Sequence, residues 1–317
     1  AMIVLVLGGL WVGREHLANV WRKAFCPAPD VEDGEEIISY RSCVWGLLIS
    51  TAVMAVWLWQ LGLPPLGVVV FLFFAFIIFV TLTRVIAEGG VAVIYTPMVP
   101  ADAAVSAVGG VAYGGPGLVG LALTRVLGND LLNFVMPHVA NGLRLTPRIP
   151  GNRRLLFWAM LLAILLAMAG GLWMLFYLCY RFGAINMRPT HFVWLPTYIG
   201  DYTASQVGDP SGPYWPGWFH TGIGATVMLL LMMARRYWNW WPLHPVGFPI
   251  SSTLNWIAFN AFLAWAIKGP VLRYGGGKLY MQVRPFFLGM IMGQFAMYGV
   301  LWVIDGLTGM IGNSTIV

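Results

Sequence analysis

Apolar runs long enough to cross a lipid bilayer recur along this chain. The clearest occupy residues 42–62, 66–86 and 155–180, and they contain almost no charged side chains. A transmembrane helix needs about 20 consecutive, mostly apolar residues. The whole chain is 59% hydrophobic and only 9% charged, whereas roughly a quarter of the residues in a soluble domain are charged. These features exclude a soluble globular protein and predict an all-α fold, a polytopic transmembrane helix bundle.

The positive charge of the chain does not indicate nucleic-acid binding. The formal net charge is +6 at pH 7, but the basic residues are scattered between the apolar runs and do not form one basic face. Lipid headgroups and the positive-inside rule select basic residues beside membrane spans. We therefore expect the lipid bilayer as a partner, other membrane subunits or a second copy of the chain as further candidates, and no nucleic acid.

The order of the apolar runs predicts one integral membrane domain over residues 1–317, with about six spans plus broken or re-entrant helices. Residues 1–12 are apolar but too short to span at about 1.5 Å per residue, so we expect the tail of a longer helix and a chain that is a fragment or half of a larger protein. The expected location is a prokaryotic inner membrane. The segments predicted outside the regular spans are a polar loop (13–41), an irregular Gly/Pro-rich segment (88–150), an extramembrane connection (181–216) and a basic loop (268–284).

The irregular segment 88–150 is apolar but repeatedly interrupted by glycine and proline, as in GGPG at 114–117. Non-helical backbone is tolerated at membrane depth where protein or a water-filled cavity supplies hydrogen-bond partners. Broken or re-entrant helices are therefore one interpretation, favoured by the near absence of charge between Asp102 and Arg125. A plain extramembrane loop is the other interpretation.

Arg84 and Glu88 form the first candidate site. They lie four residues apart in TLTRVIAEGG, so a helix would place them on one face. A charge within the hydrocarbon is costly unless it is paired or faces water. The pair is therefore predicted either to line a substrate or proton pathway or to lock helices together, and an ordinary position at the membrane interface is a third reading.

A polar stripe in GNDLLNFVMPHVANG forms the second candidate site. Asp130, Asn133, His138 and Asn141 fall within one arc of a helix, at about 100° per residue. Such a stripe is typical of a side that lines an aqueous pathway for substrate or protons. A helix that lies on the membrane surface has the same pattern, so both interpretations stay open.

Gly289 and Gly293 form a GxxxG pattern in an apolar context. Small residues at this spacing let helix backbones approach closely. The pattern therefore predicts helix packing, within the bundle or between two copies.

Motifs typical of catalysis and of metal binding are missing from the sequence. The five histidines are widely separated, and Cys26, Cys43 and Cys179 are isolated. There is no HExxH, no P-loop and no GxSxG. We therefore predict no metal site, no catalytic residue and no enzyme activity, and leave the cofactor open.

A resemblance to a known group is carried mainly by the last third of the chain. The strings WPLHPVGFPISS, WIAFNAFLAWAIKGPVLRYGGGKLY and RPFFLGMIMGQ resemble the C-terminal portion of uncharacterised prokaryotic polytopic membrane proteins, loosely related to the oligopeptide transporter superfamily; YRSCVWG and RVIAEGG add to the resemblance. The resemblance implies an all-helical secondary transporter of about twice this length, with this chain as its C-terminal half. It assigns no binding residue.

Two main function classes follow from these observations, and an intramembrane enzyme is a third reading, because few polar residues can suffice for catalysis. The first is a membrane transporter, or half of one, for a small polar solute such as a peptide or metal chelate, with proton coupling through Glu88 or Asp130. The second is a non-transporting subunit of a larger membrane complex that packs against partner helices, lipids or pigments. The position of Arg84, Glu88 and Asp130 relative to a hydrated cavity distinguishes the two classes.

Overall fold

A computed structural model describes residues 1–26, 28, 30–34, 36–91, 94, 96–128, 134–145, 153–187, 190–238, 240–256 and 258–310. Over these residues the chain is helical and contains no strand, which confirms the all-α prediction. It divides into two compact units, Ala1–Thr253 and Leu254–Val317. In chain order the α-helices are α1 (Met2–Val12), α2 (Arg14–Phe25), α3 (Tyr40–Gln60), α4 (Pro65–Gly89), α5 (Pro100–Val108), α6 (Gly114–Gly128), α7 (Val135–Leu145), α8 (Arg153–Phe182), α9 (Leu195–Gly208), α10 (Trp215–Tyr237) and α11 (Ala258–Thr308).

Five of these helices, α3, α4, α8, α10 and α11, are long and apolar enough to cross a membrane. Helices α3, α4 and α8 coincide with the apolar runs 42–62, 66–86 and 155–180. Together, the five helices indicate a membrane protein. The predicted number of about six spans stays a prediction, because α11 has 51 residues and one crossing needs only about 20.

Helix α4 is the central element of the first unit. Its sequence is a nearly unbroken run of Val, Phe, Ile and Leu, and it packs against α1, α3, α5 and α7. Pro65 occupies the first helical position, and Gly90 ends the helix with a left-handed φ of 66°, the usual start and stop residues of a helix. Helix α3 precedes it through a short turn that contains Gly62, with a φ of 96°. Helices α3 and α4, which cover most of the apolar runs 42–62 and 66–86, therefore form a helical hairpin.

Short helices replace regular spans in the irregular segment 88–150. Helices α5, α6 and α7 contain 9, 15 and 11 residues. Small side chains let α5 pack closely, and Ala103 and Ala104 are almost completely buried. A Cβ atom on Gly120 of α6 would lie 2.6 Å from the carbonyl oxygen of Leu61, so this helix packs directly on the turn of the hairpin. The helices are separate and packed, and their depth in the bilayer stays a prediction.

The two segments predicted to lie beside the spans also contain helices. In 13–41 the polar sequence forms α2, which packs against α3. In 181–216 the described residues include α9, which packs against α6. The position of both segments relative to the bilayer stays a prediction.

The second unit contains one long helical element, α11. The backbone leaves the helical conformation at Gly276, where φ is 60° and ψ is −165°. The prediction of a loop at 268–284 is wrong, because the residues on both sides of Gly276 are helical. The run of three glycines in RYGGGK favours a loop, but a helix tolerates glycine at a modest cost. Gly289 and Gly293 lie on the exposed surface of α11, and their role in packing stays a prediction.

Candidate functional site

The predicted pairing of Arg84 with Glu88 is present in the last turns of α4. The Nε atom of Arg84 donates a hydrogen bond to Oε1 of Glu88 over 2.7 Å. The two side chains are 32% and 41% exposed. They are therefore accessible at the surface of the first unit and are not sealed inside its core.

Arg84 also connects α4 to α1. Its NH1 group donates to the backbone carbonyl of Leu5 over 3.1 Å. The guanidinium lies against Gly9, where an added Cβ atom would be only 2.8 Å from NH1. This contact supports the structural interpretation of the pair, because one guanidinium holds both the carboxylate and a neighbouring helix.

A second arginine, from α7, contacts the C-terminal end of α4. The NH1 group of Arg144, in α7, donates to the carbonyl of Ala87. The ring of Phe79, earlier in α4, also contacts that of Phe134, which directly precedes α7; their centroids are 4.3 Å apart. Carbonyls at a helix C-terminus lack partners within the helix and carry partial negative charge. Two arginines and Glu88 therefore share the end of α4, directly before the glycines at 89–90.

The polar stripe is only partly described. Asp130 and Asn133 lie outside the described residues. His138 and Asn141 are in α7, and both side chains are exposed. The described residues therefore do not distinguish a stripe that lines a pathway from one that faces the membrane surface, and both interpretations remain predictions.

A second ion pair, which the sequence interpretation missed, joins two of the short helices. Asp102 lies in the first turn of α5, and its Oδ1 accepts a hydrogen bond from NH2 of Arg125 in α6. The Arg125 side chain is 7% exposed and that of Asp102 is 37% exposed. A nearly buried guanidinium in so apolar a chain is the most costly charge in the described residues to leave unpaired.

Aromatic side chains of α9 complete this cluster. The ring centroid of Tyr202 lies 3.7 Å from Cζ of Arg125, and that of Tyr198 lies 5.9 Å away. A guanidinium over an aromatic face is attracted by the negative charge of the ring. The Tyr202 hydroxyl donates to Oδ1 of Asp102 over 3.4 Å. Burial raises the pKa of Tyr202, and the nearby carboxylate raises it further, so this hydroxyl keeps its proton.

Two buried polar atoms beside the pair have no hydrogen-bond partner among the described residues. They are Nε of Arg125 and Oε1 of Gln206. Both side chains line one small cavity between α5, α6 and α9, with a volume of about 10 Å³, close to what one water molecule needs. A donor and an acceptor therefore flank a space suited to a single small polar molecule.

The sequence held a signal for this second pair. Asp102 and Arg125 are the two charges that bound the nearly charge-free stretch of the irregular segment. Opposite charges at its two ends have to be satisfied, and the short helices α5 and α6 bring them together.

Metal-ligating groups do not come together in the described part of the chain. Within those ranges there is no group of three His, Cys, Asp or Glu side chains that could hold an ion. The absence of a metal site stays a prediction. No cofactor is assigned.

A helical chain with five helices of this length and apolarity is an α-helical membrane protein. The chain belongs to the family of unknown function DUF6785, whose family model matches residues 1–317. No curated protein and no solved structure matches the chain. The family match carries no link to the oligopeptide transporter superfamily, so that resemblance stays a prediction.

Proposed function

We propose that this chain is a membrane transporter, or part of one, for a small polar solute such as a peptide or a metal chelate. The observation that carries the proposal is the ion pair between Asp102 and Arg125. It joins two short helices in the part of the chain where regular spans are interrupted. Broken helices that hold charged groups are typical of the substrate sites of secondary transporters, and intramembrane charges usually mark a pathway.

The end of α4 supplies a second polar position for this pathway. Glu88 is partly exposed and held by Arg84, and the helix stops two residues later at Gly90. A carboxylate that water can reach can take up and release a proton during a transport cycle. We propose Glu88 as the proton-coupling group, Arg84 as its positioning residue, and the inner membrane of a prokaryote as the location.

The experiment that tests transport uses the purified full chain in proteoliposomes. Vesicles with a trapped pH-sensitive dye are given radiolabelled trialanine under an inward proton gradient. Transport predicts uptake above that of protein-free vesicles, together with acidification of the lumen that depends on trialanine. A ferric chelate is the second solute. The proposal would be contradicted if neither trialanine nor the ferric chelate gave uptake or acidification.

Replacing Glu88 with Gln is expected to abolish proton-driven uptake while leaving the fold intact. The pair is exposed, so its loss changes the free energy of unfolding by less than about 0.5 kcal/mol. Thermal unfolding and uptake are measured on the same preparation. Glu15→Gln, at an exposed position of α2, is the matched control and keeps full uptake. Equal uptake by the two variants would remove Glu88 from the pathway.

A non-transporting subunit of a larger membrane complex is the second candidate. Helix α8 supports it, because none of the residues in its most apolar window is buried. Trp158 and Trp173 are 62% and 77% exposed, and such side chains need lipid or partner helices beside them. Native electrophoresis of gently solubilised membranes separates the two candidates. A defined complex of constant composition, without uptake, favours the subunit, whereas the chain alone with uptake favours the transporter.

A further inference from the structure

An apolar pocket of about 340 Å³ lies in the first unit, apart from both ion pairs. Helices α1, α4, α5 and α10 all contribute to its wall. Phe74 and Ile78 come from α4, Ala103 from α5 and Trp218 from α10, and Met98 precedes α5. The volume falls in the range of small-molecule sites, which are usually lined by apolar and aromatic side chains.

The polar groups of Ser106, Trp218 and Thr221 in the wall already form hydrogen bonds within the protein. The carbonyl of Ser106 accepts two hydrogen bonds, from Nε1 of Trp218 over 2.8 Å and from the backbone N–H of Tyr214 over 3.0 Å. The Ser106 hydroxyl donates to the carbonyl of Ala103 over 2.9 Å, and the Thr221 hydroxyl donates to that of Gly217 over the same distance. These groups offer little to a polar solute.

We propose that this pocket binds a hydrocarbon chain of a membrane lipid. An apolar cavity stays dry and takes apolar guests, because water gains no hydrogen bonds there. In a membrane protein the apolar molecules at hand are the acyl chains of the bilayer. The site goes beyond the proposed function, since it does not use the ion pairs. Helix α5 nevertheless contributes to both the ion pair and the pocket, through Asp102 and Ala103 respectively.

Two glycines of α10 provide a matched pair of variants. Gly224 lines the pocket, and a Cβ atom built on it meets nothing within 4 Å. A leucine side chain at this position would therefore extend into open space and narrow the pocket. Gly222 has the same open surroundings, is exposed and does not line the pocket. Gly222→Leu makes the same change in helix propensity without narrowing it.

The experiment uses the full chain in lipid nanodiscs that contain a phosphatidylcholine with a diazirine in one acyl chain. After illumination, mass spectrometry locates the adducts, and adducts on α8 serve as the internal reference for lipid contact. The inference predicts adducts on Met98 and Trp218 in the original chain. Gly224→Leu is expected to lose these adducts and keep those on α8, while Gly222→Leu keeps both.

Two results would overturn the inference. One is an original chain labelled on α8 but not on Met98 or Trp218. The other is a Gly224→Leu variant with unchanged thermal stability and unchanged adducts at both residues. Trialanine uptake is measured separately on the same variants, so a failure of transport does not decide whether the lipid site exists.

Discussion

Replacing Arg125 with Met is expected to lower the free energy of unfolding by about 3 kcal/mol, the lower end of the range for a broken buried ion pair. The variant leaves Asp102 without its guanidinium, and Tyr202 loses the cation over its ring. The lower end applies because the Asp102 side chain is 37% exposed and water can solvate it in part. Thermal unfolding in a mild detergent, followed by tryptophan fluorescence, measures the change.

A double-mutant cycle identifies the source of this loss. Asp102→Leu removes the carboxylate, and the double variant Asp102→Leu with Arg125→Met removes both charges. If the ion pair carries the effect, the double variant is more stable than the sum of the single changes predicts, by about 1–2 kcal/mol. Arg125→Lys keeps the charge but removes the planar guanidinium from above the Tyr202 ring, so an intermediate loss is expected. Strictly additive changes would mean that the two side chains act independently.

Replacing Gly109 with Ala is expected to cost about 3 kcal/mol of folding free energy, through backbone strain and overpacking. Gly109 has φ 88° and ψ 149°, a conformation that side chains other than glycine rarely adopt. An added Cβ atom would lie 2.9 Å from the backbone of Gly212 and Pro213. The chain before α10 would have to move away from α5. The same unfolding measurement checks this loss.

The neighbouring Gly110 provides the control for this prediction. Its φ is not in the left-handed region, and the atoms nearest to an added Cβ are 3.6 Å away, an ordinary contact distance. Gly110→Ala is therefore expected to change the stability by less than about 0.5 kcal/mol. Equal losses for both variants would show that the positive φ of Gly109 is not the cause.

The elements that could be predicted from the sequence are those set by local apolar length. The α3–α4 hairpin and α8 follow from apolar runs, and a proline and a glycine mark the two ends of α4. The conformation at 268–284 was not predictable in the same way, because Gly275, Gly276 and Gly277 look alike in the sequence. Of these three, Gly276 leaves the helix.

The candidate site shows the same division between local and distant information. Arg84 and Glu88 were found because a helix brings residues four apart together. Asp102 and Arg125 are 23 residues apart, and their contact depends on how α5 and α6 pack on the hairpin turn. Tyr202, which also contacts Asp102, is 100 residues farther along the chain than Asp102. No periodicity connects residues at such separations.

A cryo-EM map of the protein purified from its native membrane and held in lipid nanodiscs tests the central claim most directly. The decisive observation is what the carboxylates of Glu88 and Asp102 face. The transporter account predicts a water-filled path with both groups on its wall, enclosed by this chain or by further spans of the same protein. Carboxylates packed against a partner chain or pigment, with no hydrated path beside them, would contradict it and favour the structural subunit.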